Sequence, residues 1–434
     1  MAETRDVIVI GGGVAGLAAA GALGRRGFNV TLIEARDRLG GRILTVRPAG
    51  WGRAVELGAE FIHEGNAPLW RVVRKAGLKT ARGAARHWLF HEGKMKRMDN
   101  LAERIERVTS GIDPEKAGPE TVAAFLRGHA ETLSAEDGAV VGNFIEGFEA
   151  APLNEMSARS VAGATLEDEK QFLLPGGYDG VVTALAEALP ARRVDVVRSE
   201  PVLTINWRRG AAVVRTAKKN YAAKAVVVTV PLGVLQAADG ERGAIAFVPA
   251  LRRKMEVAAG MGMGHVVRLV VRFEAKRWAK FVKKSLGGEP GKRGMGFIHS
   301  RLAGVPVWWS LREDPVVTGW AGGPAGIALA KCSPRVIRQR ALRSLGQLLE
   351  VSPVVLERAV LGCELHNWTR DPFSRGAYSF TAAGHDDAAE LLAQPVQNTL
   401  FFAGEATASG EEVGTVHGAI ASGLRAAREW NARR

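Results

Sequence analysis

Three glycines near the start of the chain have the clearest chemical meaning, because they follow the pattern Gly11-x-Gly13-x-x-Gly16. The first glycine permits a tight turn, the second lets the backbone approach a pyrophosphate, and the third allows close packing of a helix on a sheet. Glu34 lies 18 residues after Gly16, and its carboxylate can accept hydrogen bonds from a ribose. This spacing predicts a dinucleotide-binding site.

The elements that position these residues can be predicted from the same stretch. Residues 6–10 (DVIVI) form a β-branched run typical of a buried parallel strand. Residues 15–23 have helical composition that ends at Gly27, and residues 29–33 (NVTLI) indicate a second strand. The helix would begin at the glycine turn, where its free N–H groups and positive dipole end attract phosphate.

A second motif, ARDRLGGR at residues 35–42, follows Glu34 directly. With this motif the sequence resembles the flavin-containing amine oxidase family, in which E-x-R-x-R-x-G-G-R follows the glycine pattern. The resemblance implies that the segment binds the phosphate and ribitol of FAD, and an NAD site has no use for it. Two glycines before Arg42 also suit a close approach of backbone to ligand.

The resemblance continues to the other end of the chain and covers residues 7–427. Residues 400–405 (LFFAGE) and 414–419 (GTVHGA) are similar to the closing FAD motif of the family, a strand, a glycine turn and a helix start. In that motif Glu405 would contact the ribityl chain. Backbone N–H groups at the helix start would face the pyrimidine carbonyls of the flavin.

Further matches lie between the two ends. Residues 231–235 (PLGVL) match a family motif, and Val202 matches a position that contacts adenine through its backbone. The segment from Trp368 to Tyr378 matches W-x-x-D-P-x-x-x-G-x-Y, which lies near the isoalloxazine ring in the family. The cofactor-binding residues implied by the resemblance are Gly11, Gly13, Val14, Ala15, Gly16, Glu34, Ala35, Arg36, Gly41, Arg42, Gly58, Ala59, Glu60, Val202, Trp368, Gly404, Glu405, Thr415 and Val416.

The resemblance implies an α/β fold in which a Rossmann-type FAD-binding domain is interleaved with an α+β substrate-binding domain, the amine oxidase fold. The FAD-binding segments would be residues 1–85, 190–250 and 395–434. The substrate-binding segments would be residues 86–189 and 251–394. The sequence contains no coiled-coil insertion of the kind that histone demethylases use to reach their partner.

Local patterns predict several elements of the substrate-binding domain. Residues 101–133 have helix-like apolar spacing interrupted by a glycine and two prolines, and residues 266–273 and 305–311 alternate as strands do. The basic stretch 276–293 indicates a solvated loop or hairpin, with a surface for an anionic partner as the alternative.

The resemblance also implies three catalytic residues, Arg268, His63 and Tyr378. Arg268 stands where the family usually has a lysine that holds a water against flavin N5. Arginine stays charged and cannot act as a base, but it could orient a water and favour an anionic flavin or superoxide. The alternative is that Arg268 only forms a salt bridge.

His63 and Tyr378 would act on the substrate side. His63 ends a segment, GAEFIH, whose histidine faces the substrate in some polyamine oxidases, and a packed or surface histidine is the alternative. Tyr378 matches one of two aromatic walls that stabilise the charge of the amine. Thr415 stands where monoamine oxidases place the second tyrosine, so the aromatic cage would be half built.

Four other residues have a simpler interpretation. Trp308 and Trp309 are adjacent and are expected in the core rather than in the pocket. Glu146 and Glu149 lie in FIEGFEAAP, a segment that contributes to the substrate tunnel in relatives. We expect both to be solvated helix charges, with attraction of a distal ammonium as the alternative.

Composition and charge exclude several classes of protein. The chain has 434 residues, of which 47% are hydrophobic, so it is globular rather than disordered. It has only two cysteines, Cys332 and Cys363, so we expect a reducing cytoplasm, no disulfide framework and no metal site. Neither cysteine lies in the context of a covalent flavin, so FAD would be non-covalent. The uncharged run 7–24 contains five glycines, which argues against a membrane span or signal.

The net charge of +14 attracts anions and repels polycations at long range. We therefore expect a monoamine, an amino acid or a modestly charged diamine as substrate rather than a highly charged polyamine, and no nucleic-acid partner. The resemblance implies oxidation of the C–N bond by FAD, with dioxygen as acceptor and release of hydrogen peroxide. A C–C desaturase of the same superfamily and a flavoprotein binding module with little turnover are the alternatives.

Overall fold

The computed structural model describes residues 5–63, 67–83, 86–115, 118–129, 131, 133–164, 166, 171–286 and 294–432. In chain order the strands are β1 (Arg5–Ile10), β2 (Val30–Ile33), β3 (Thr45–Val46), β4 (Val55–Glu56), β5 (Ile62–His63), β6 (Ala81–Arg82), β7 (His87–His91), β8 (Lys94–Arg97), β9 (Gln171–Leu173), β10 (Val194–Val197), β11 (Val202–Arg208), β12 (Ala211–Thr216), β13 (Asn220–Val228), β14 (Ala246–Val248), β15 (Gly262–Met263), β16 (Val266–Phe273), β17 (Gly296–Ser300), β18 (Val307–Ser310), β19 (Val316–Gly322), β20 (Val360–Asn367), β21 (Ser379–Phe380) and β22 (Leu400–Phe402).

The helices are α1 (Val14–Arg25), α2 (Ala67–Lys75), α3 (Leu101–Thr109), α4 (Val122–Gly128), α5 (Ala135–Phe148), α6 (Asp179–Glu187), α7 (Leu232–Leu235), α8 (Arg252–Gly260), α9 (Ala275–Leu286), α10 (Gly323–Ala330), α11 (Pro334–Leu348), α12 (Pro353–Glu357), α13 (Ala388–Ala393) and α14 (Val416–Asn431). None of these helices, in the part of the chain that is described, has both the length and the apolarity to cross a bilayer.

The first large sheet contains the glycine pattern. Its strand order is β10-β2-β1-β13-β12-β11-β14, and β22 also pairs with β13. Strands β10, β2, β1, β13 and β22 run parallel, and β12 pairs antiparallel with both β11 and β13. The predicted strand, glycine turn, helix and second strand are confirmed as β1, α1 and β2.

Both faces of this sheet are covered, which explains why residues 6–10 are almost continuously apolar. Val7 and Val9 pack under α1 and α14, whereas Ile8 and Ile10 face a core that includes Val214 of β12. The strands come from three separated parts of the chain, as the predicted interleaving requires, while the domain boundaries themselves stay a prediction.

The second large sheet has the strand order β20-β16-β19-β18-β17-β7-β8. Strands β16 and β18 confirm the two strands predicted around residues 266–273 and 305–311. Alternate residues point to opposite faces of the sheet. Leu269, Trp308 and Ile298 pack on one face under helices α9 to α12, in a core separate from that of the first sheet. The opposite face is turned toward α5, which contacts β19.

The helices of residues 101–133 agree with the sequence, since α3 ends before Gly111 and α4 begins after Pro119. The prediction of a loop or hairpin over residues 276–293 is wrong for its first part, which is helix α9. Trp278, Phe281 and Val282 are buried at helical spacing, while the lysines of the helix are exposed. Residues 287–293 lie outside the described residues.

Candidate active site

A cavity of about 760 Å³ lies between the glycine pattern and the open face of the second sheet. It is lined by residues of both sheets and of the loops at the carboxyl ends of β1, β2 and β13. All the residues that the sequence predicted as cofactor-binding or catalytic line it, with the exception of Gly16. A methyl group on Gly16 would lie 1.9 Å from the carbonyl oxygen of Gly11, so Gly16 permits close packing instead.

The first turn of α1 forms an open cradle in the cavity wall. Gly13 is the N-cap of α1 and no side chain caps the helix, so its first N–H groups remain available. A methyl group on Gly13 would meet nothing within 4 Å, whereas Gly11 has a φ of +107°, which favours glycine. These features match the binding of a phosphate group by backbone N–H groups.

Glu34 holds this loop in place and still faces the cavity. Its buried carboxylate accepts the N–H of Gly12 at 2.6 Å and that of Arg36 at 2.8 Å, one on each oxygen. Because a carboxylate oxygen can accept more than one hydrogen bond, both oxygens keep the capacity to accept from a ligand.

Two arginines of the ARDRLGGR segment are fixed by acids from the far end of the chain. Arg36 donates to Asp371 at 2.6 Å and to Ser374 at 3.0 Å. Burial alone would raise the pKa of Asp371, but hydrogen bonds from His366 and Arg36 hold it below its usual value. Asp371 is therefore charged at neutral pH and keeps the Arg36 side chain at the cavity wall.

Arg42 is fixed in the same way. It donates to the buried carboxylate of Glu405 at 2.6 Å and to the carbonyl oxygen of Ala377 at 2.9 Å. The other oxygen of Glu405 accepts from Ser379 and from the backbone N–H of Gly414. This carboxylate thus connects the ARDRLGGR segment to the turn that precedes α14.

The start of α14 forms a second set of N–H groups at the cavity. Thr415 caps the helix, and its hydroxyl accepts the N–H of Gly418 at 3.0 Å. Val416 and His417 follow it along the cavity wall. Burial, together with the neighbouring His63, lowers the pKa of His417 to about 4, so the His417 imidazole is neutral at physiological pH.

Three more predicted residues lie at this cavity. Trp368 is almost fully buried, and its indole N–H donates to the carbonyl of Leu57 at 2.8 Å. Val202 lines the cavity at the start of β11. His63 ends β5, is half-buried, and its carbonyl accepts the indole N–H of Trp70 at 3.0 Å.

Arg268 lies on β16, on the face of the sheet that forms the cavity wall, with 2% of its side chain exposed. Its guanidinium pairs with Glu60 at 2.5 Å and donates to the carbonyl of Gly58 at 2.8 Å. Trp309 also donates to Glu60, and its ring lies 5.3 Å from the guanidinium carbon. Arg268 is therefore both a cavity residue and a member of a buried ion pair, and its catalytic role stays a prediction.

Tyr378 has an aromatic neighbour that the sequence alone does not single out. Trp320 of β19 stacks beside it, with ring centroids 6.4 Å apart and an interplanar angle of 20°. The Tyr378 hydroxyl donates to the carbonyl of Phe148 at the end of α5. The half-built aromatic cage stays a prediction: Thr415 lines the cavity, and Trp320, from a strand distant in sequence, adds a ring beside Tyr378.

The expectations for the adjacent tryptophans and for the two glutamates of FIEGFEAAP are met only in part. Trp308 is in the core as expected, but Trp309 lines the cavity, because neighbours on a strand point to opposite faces. Glu146 is half-buried and accepts the N–H of Leu153. The prediction of a solvated charge is wrong for Glu149, which lines the cavity and whose pKa is raised to about 7 by burial.

The remaining cavity residues were missed because they come from separate strands of the second sheet. Among them are Phe297 and His299 of β17 and His87 of β7, with Phe144 of α5 packed beside His299. Period-2 alternation of β17 places Phe297 and His299 on one face, but the sequence does not show what that face meets. Within the described ranges, no group of three or more His, Cys, Asp or Glu side chains could hold a metal ion.

Comparison with known proteins extends these observations. Residues 14–430 match the family model described as flavin containing amine oxidoreductase. The chain is 30% identical over 99% of its length to polyamine oxidase 3 of Oryza sativa subsp. japonica, and covers 90% of that protein. It is 28% identical over 98% of its length to lysine-specific histone demethylase 2 of Homo sapiens, of which it spans about half, 53%.

Solved structures share the fold. The structure of putrescine oxidase bound to putrescine has a TM-score of 0.79 at 22% identity, over 99% of this chain and 100% of the other. Cyclohexylamine oxidase from Brevibacterium oxydans IH-35A has a TM-score of 0.78 at 21% identity, with 100% of both chains covered. At this level of sequence identity, the structural similarity establishes the fold of the chain, which is the α/β amine oxidase fold.

Proposed function

Because this chain belongs to the flavin containing amine oxidoreductase family, we propose that it oxidises a small amine with a non-covalently bound FAD. The uncapped helix at Gly13, the carboxylate of Glu34 and the N–H groups at the start of α14 suit the phosphate, ribose and pyrimidine of FAD. None of the described residues that line the cavity is a cysteine, which supports non-covalent binding.

When bound, the flavin supplies a two-electron acceptor, so that the amine carbon loses a hydride and the nitrogen a proton, water hydrolyses the imine to a carbonyl compound, and dioxygen takes up the electrons as hydrogen peroxide. The residues of the chain position the amine and balance its positive charge. The rings of Tyr378 and Trp320 suit a cation. Burial raises the pKa of Tyr378, and the nearby carboxylate of Glu149 adds to this rise.

One cluster of side chains in the cavity supports the proposal that the substrate is a small amine. Glu149, Tyr378 and Trp320 form a site for a single positive charge beside the residues that tie the two ends of the chain together. The other carboxylates that line the cavity include Glu60 and Glu405, which already pair with Arg268 and Arg42. This arrangement fits one ammonium group, in keeping with the expectation that a highly charged polyamine is not the best substrate.

The cofactor and the reaction can be tested together. We expect the purified protein to be yellow, acid precipitation to release free FAD, and a panel of amines in air to yield hydrogen peroxide. A colourless protein that cannot take up added FAD would contradict the cofactor. If amines fail to reduce the flavin under anaerobic conditions while a lipid or tetrapyrrole does, the enzyme is instead a C–C desaturase.

Glu149→Gln tests the cation site. Losing a carboxylate that faces an ammonium in a half-buried cavity should lower kcat/KM for a monoamine about tenfold or more, mainly through KM. The pKa of Glu149 is raised to about 7, so the wild-type carboxyl becomes charged only as the pH rises through that value. The wild type should therefore bind the ammonium more tightly above pH 7, and the variant should lose this dependence.

Glu146→Gln is the matched control, because Glu146 lies on the same helix and bonds to the Leu153 N–H rather than lining the cavity. It should retain the pH profile of the wild type. The assignment of Glu149 to the cation site is wrong if Glu149→Gln and Glu146→Gln show the same pH dependence.

A further inference from the structure

The substrate side of the cavity has a floor formed by one face of the second sheet. Strand register places Arg268 opposite Trp320 on neighbouring strands, and Phe297 opposite both Trp309 and His87 on its two sides. Neighbouring strands lie about 4.8 Å apart, so the three steps from β19 to β7 span about 14 Å. We call Trp320, Trp309, Phe297, His87 and His299 the aromatic floor.

The rings of the aromatic floor are in continuous contact. Centroids are 6.2 Å apart between Trp320 and Trp309, 5.6 Å between Trp309 and Phe297, and 5.1 Å between Phe297 and His87. The last pair is stacked, with an interplanar angle of 9°. The rings are tilted against one another by 50° and 37° along the first two steps, so the floor is an uneven, largely apolar surface that favours an uncharged tail.

The far end of the floor differs chemically from the rest. Nδ1 of His87 and Nε2 of His299 share a hydrogen bond of 2.9 Å, and the two buried rings stack at 5.2 Å. Phe144 of α5 closes the end from above, 5.9 Å from His299. Burial and the neighbouring His87 lower the pKa of His299 to about 3, so this imidazole carries no charge at neutral pH.

The last turn of α5 lines the cavity between these two regions. Phe144 lies beside His299, whereas Phe148, one turn later, accepts the hydroxyl of Tyr378, and Glu149 follows it. The negative charge is thus at the Tyr378 end and the imidazoles are at the other. The aromatic floor contains no carboxylate that could pair with a second ammonium at the imidazole end, and burying an unpaired ion is unfavourable.

The outer nitrogen of His299 can serve either role in hydrogen bonding. If His87 donates the shared hydrogen bond, Nδ1 of His299 carries a proton and is a donor, and in the opposite tautomer it is an acceptor. The imidazole pair can therefore match a hydroxyl, an amide or a heteroaromatic nitrogen without becoming charged.

We propose that His87 and His299 determine specificity, by closing the cavity with a neutral hydrogen-bonding wall that selects an amine with a single positive charge and an uncharged tail ending in a polar group. This inference rests on the proposed function, because the amine is assigned to the Tyr378 end by that function. It deepens the proposal by naming the class of substrate.

The experiment compares three amines of equal length whose tails end in a methyl, a hydroxyl or an ammonium group. In the wild type, kcat/KM should be about tenfold higher for the hydroxyl than for the methyl compound, and lowest for the diamine. His299→Leu should remove the advantage of the hydroxyl, His299→Gln should keep most of it, and His299→Asp should raise kcat/KM for the diamine.

His91→Leu is the matched control, since His91 is exposed at the other end of β7 and does not line the cavity. Binding of tail alcohols that lack the amine, followed by the fluorescence of the cavity tryptophans, separates this inference from the proposed function. If the alcohols bind in the predicted order but no amine is oxidised, the proposed reaction is wrong, whereas the role of His87 and His299 in specificity is supported. A wild-type preference for the diamine, an unchanged hydroxyl-to-methyl ratio in His299→Leu, or an unchanged kcat/KM for the diamine in His299→Asp overturns the inference.

Discussion

Replacing Arg268 with methionine is expected to lower the free energy of unfolding by about 3–5 kcal/mol, the usual cost of leaving one charge of a buried ion pair without its partner. Arg268 and Glu60 form such a pair, with side-chain exposures of 2% and 12%. Urea denaturation of the two proteins, followed by tryptophan fluorescence at the same FAD concentration, measures the difference.

The double variant Arg268→Met/Glu60→Gln provides the control. It removes both charges, so it should recover most of the stability that the single variant loses. If the single variant is as stable as the wild type, the pair is solvated in solution and does not stabilise the cavity wall.

The same residue has a separate kinetic consequence under the proposed function. Losing the positive charge should slow reoxidation by dioxygen about tenfold, equivalent to about 1.4 kcal/mol, and Arg268→Lys should make it faster than in the wild type. Stopped-flow spectroscopy of the reductive and oxidative half-reactions separates the steps. Arg272→Lys is the control, because Arg272 lies on the same strand and bonds to the exposed loop at Gly50. Equal oxidative rates in all variants would place Arg268 outside the chemistry.

A second large effect is expected for Gly13→Ala, which should give a folded protein that binds FAD at least about tenfold more weakly. The backbone φ of Gly13 is −75°, a value that alanine adopts readily, and the added methyl group meets no protein atom within 4 Å. The methyl group would instead occupy the cradle at the N-terminus of α1. Fluorescence titration of the apoprotein with FAD measures the affinity, and circular dichroism checks the fold.

Gly16→Ala is the contrasting variant, three residues later in the same pattern. Its methyl group would lie 1.9 Å from the carbonyl oxygen of Gly11, so we expect misfolding rather than selective loss of FAD. The assignment of the cradle is contradicted if Gly13→Ala binds FAD as the wild type does.

The parts of the site that the sequence predicts are those set by local backbone requirements. The turn at Gly11, the cradle at Gly13 and the close packing at Gly16 follow from one short stretch, because glycine is needed at each for a different geometric reason. Helix α9 could also have been predicted, since its apolar residues recur at helical spacing. Its many lysines obscured that pattern.

The substrate side could not be predicted in the same way. Trp320, Phe297 and His87 become neighbours only through the pairing of β19, β18, β17 and β7, and alternation along one strand does not reveal which strand lies beside it. Glu149 was misjudged for a related reason. Its position after α5 indicates a solvated helix end, and only the contact of Phe148 with Tyr378 places it inside the cavity.

The contacts Arg36–Asp371 and Arg42–Glu405 have a consequence for how the protein is made. They join residues 335 and 363 positions apart in the chain. At a synthesis rate of about 5–20 residues per second, the first βαβ unit exists for roughly 20–70 s before its partners emerge from the ribosome. During that time α1 lacks α14, whose Gly423 packs directly against Ala15. We therefore expect the nascent chain to be a client of chaperones during synthesis, and FAD to be enclosed only after α14 has docked.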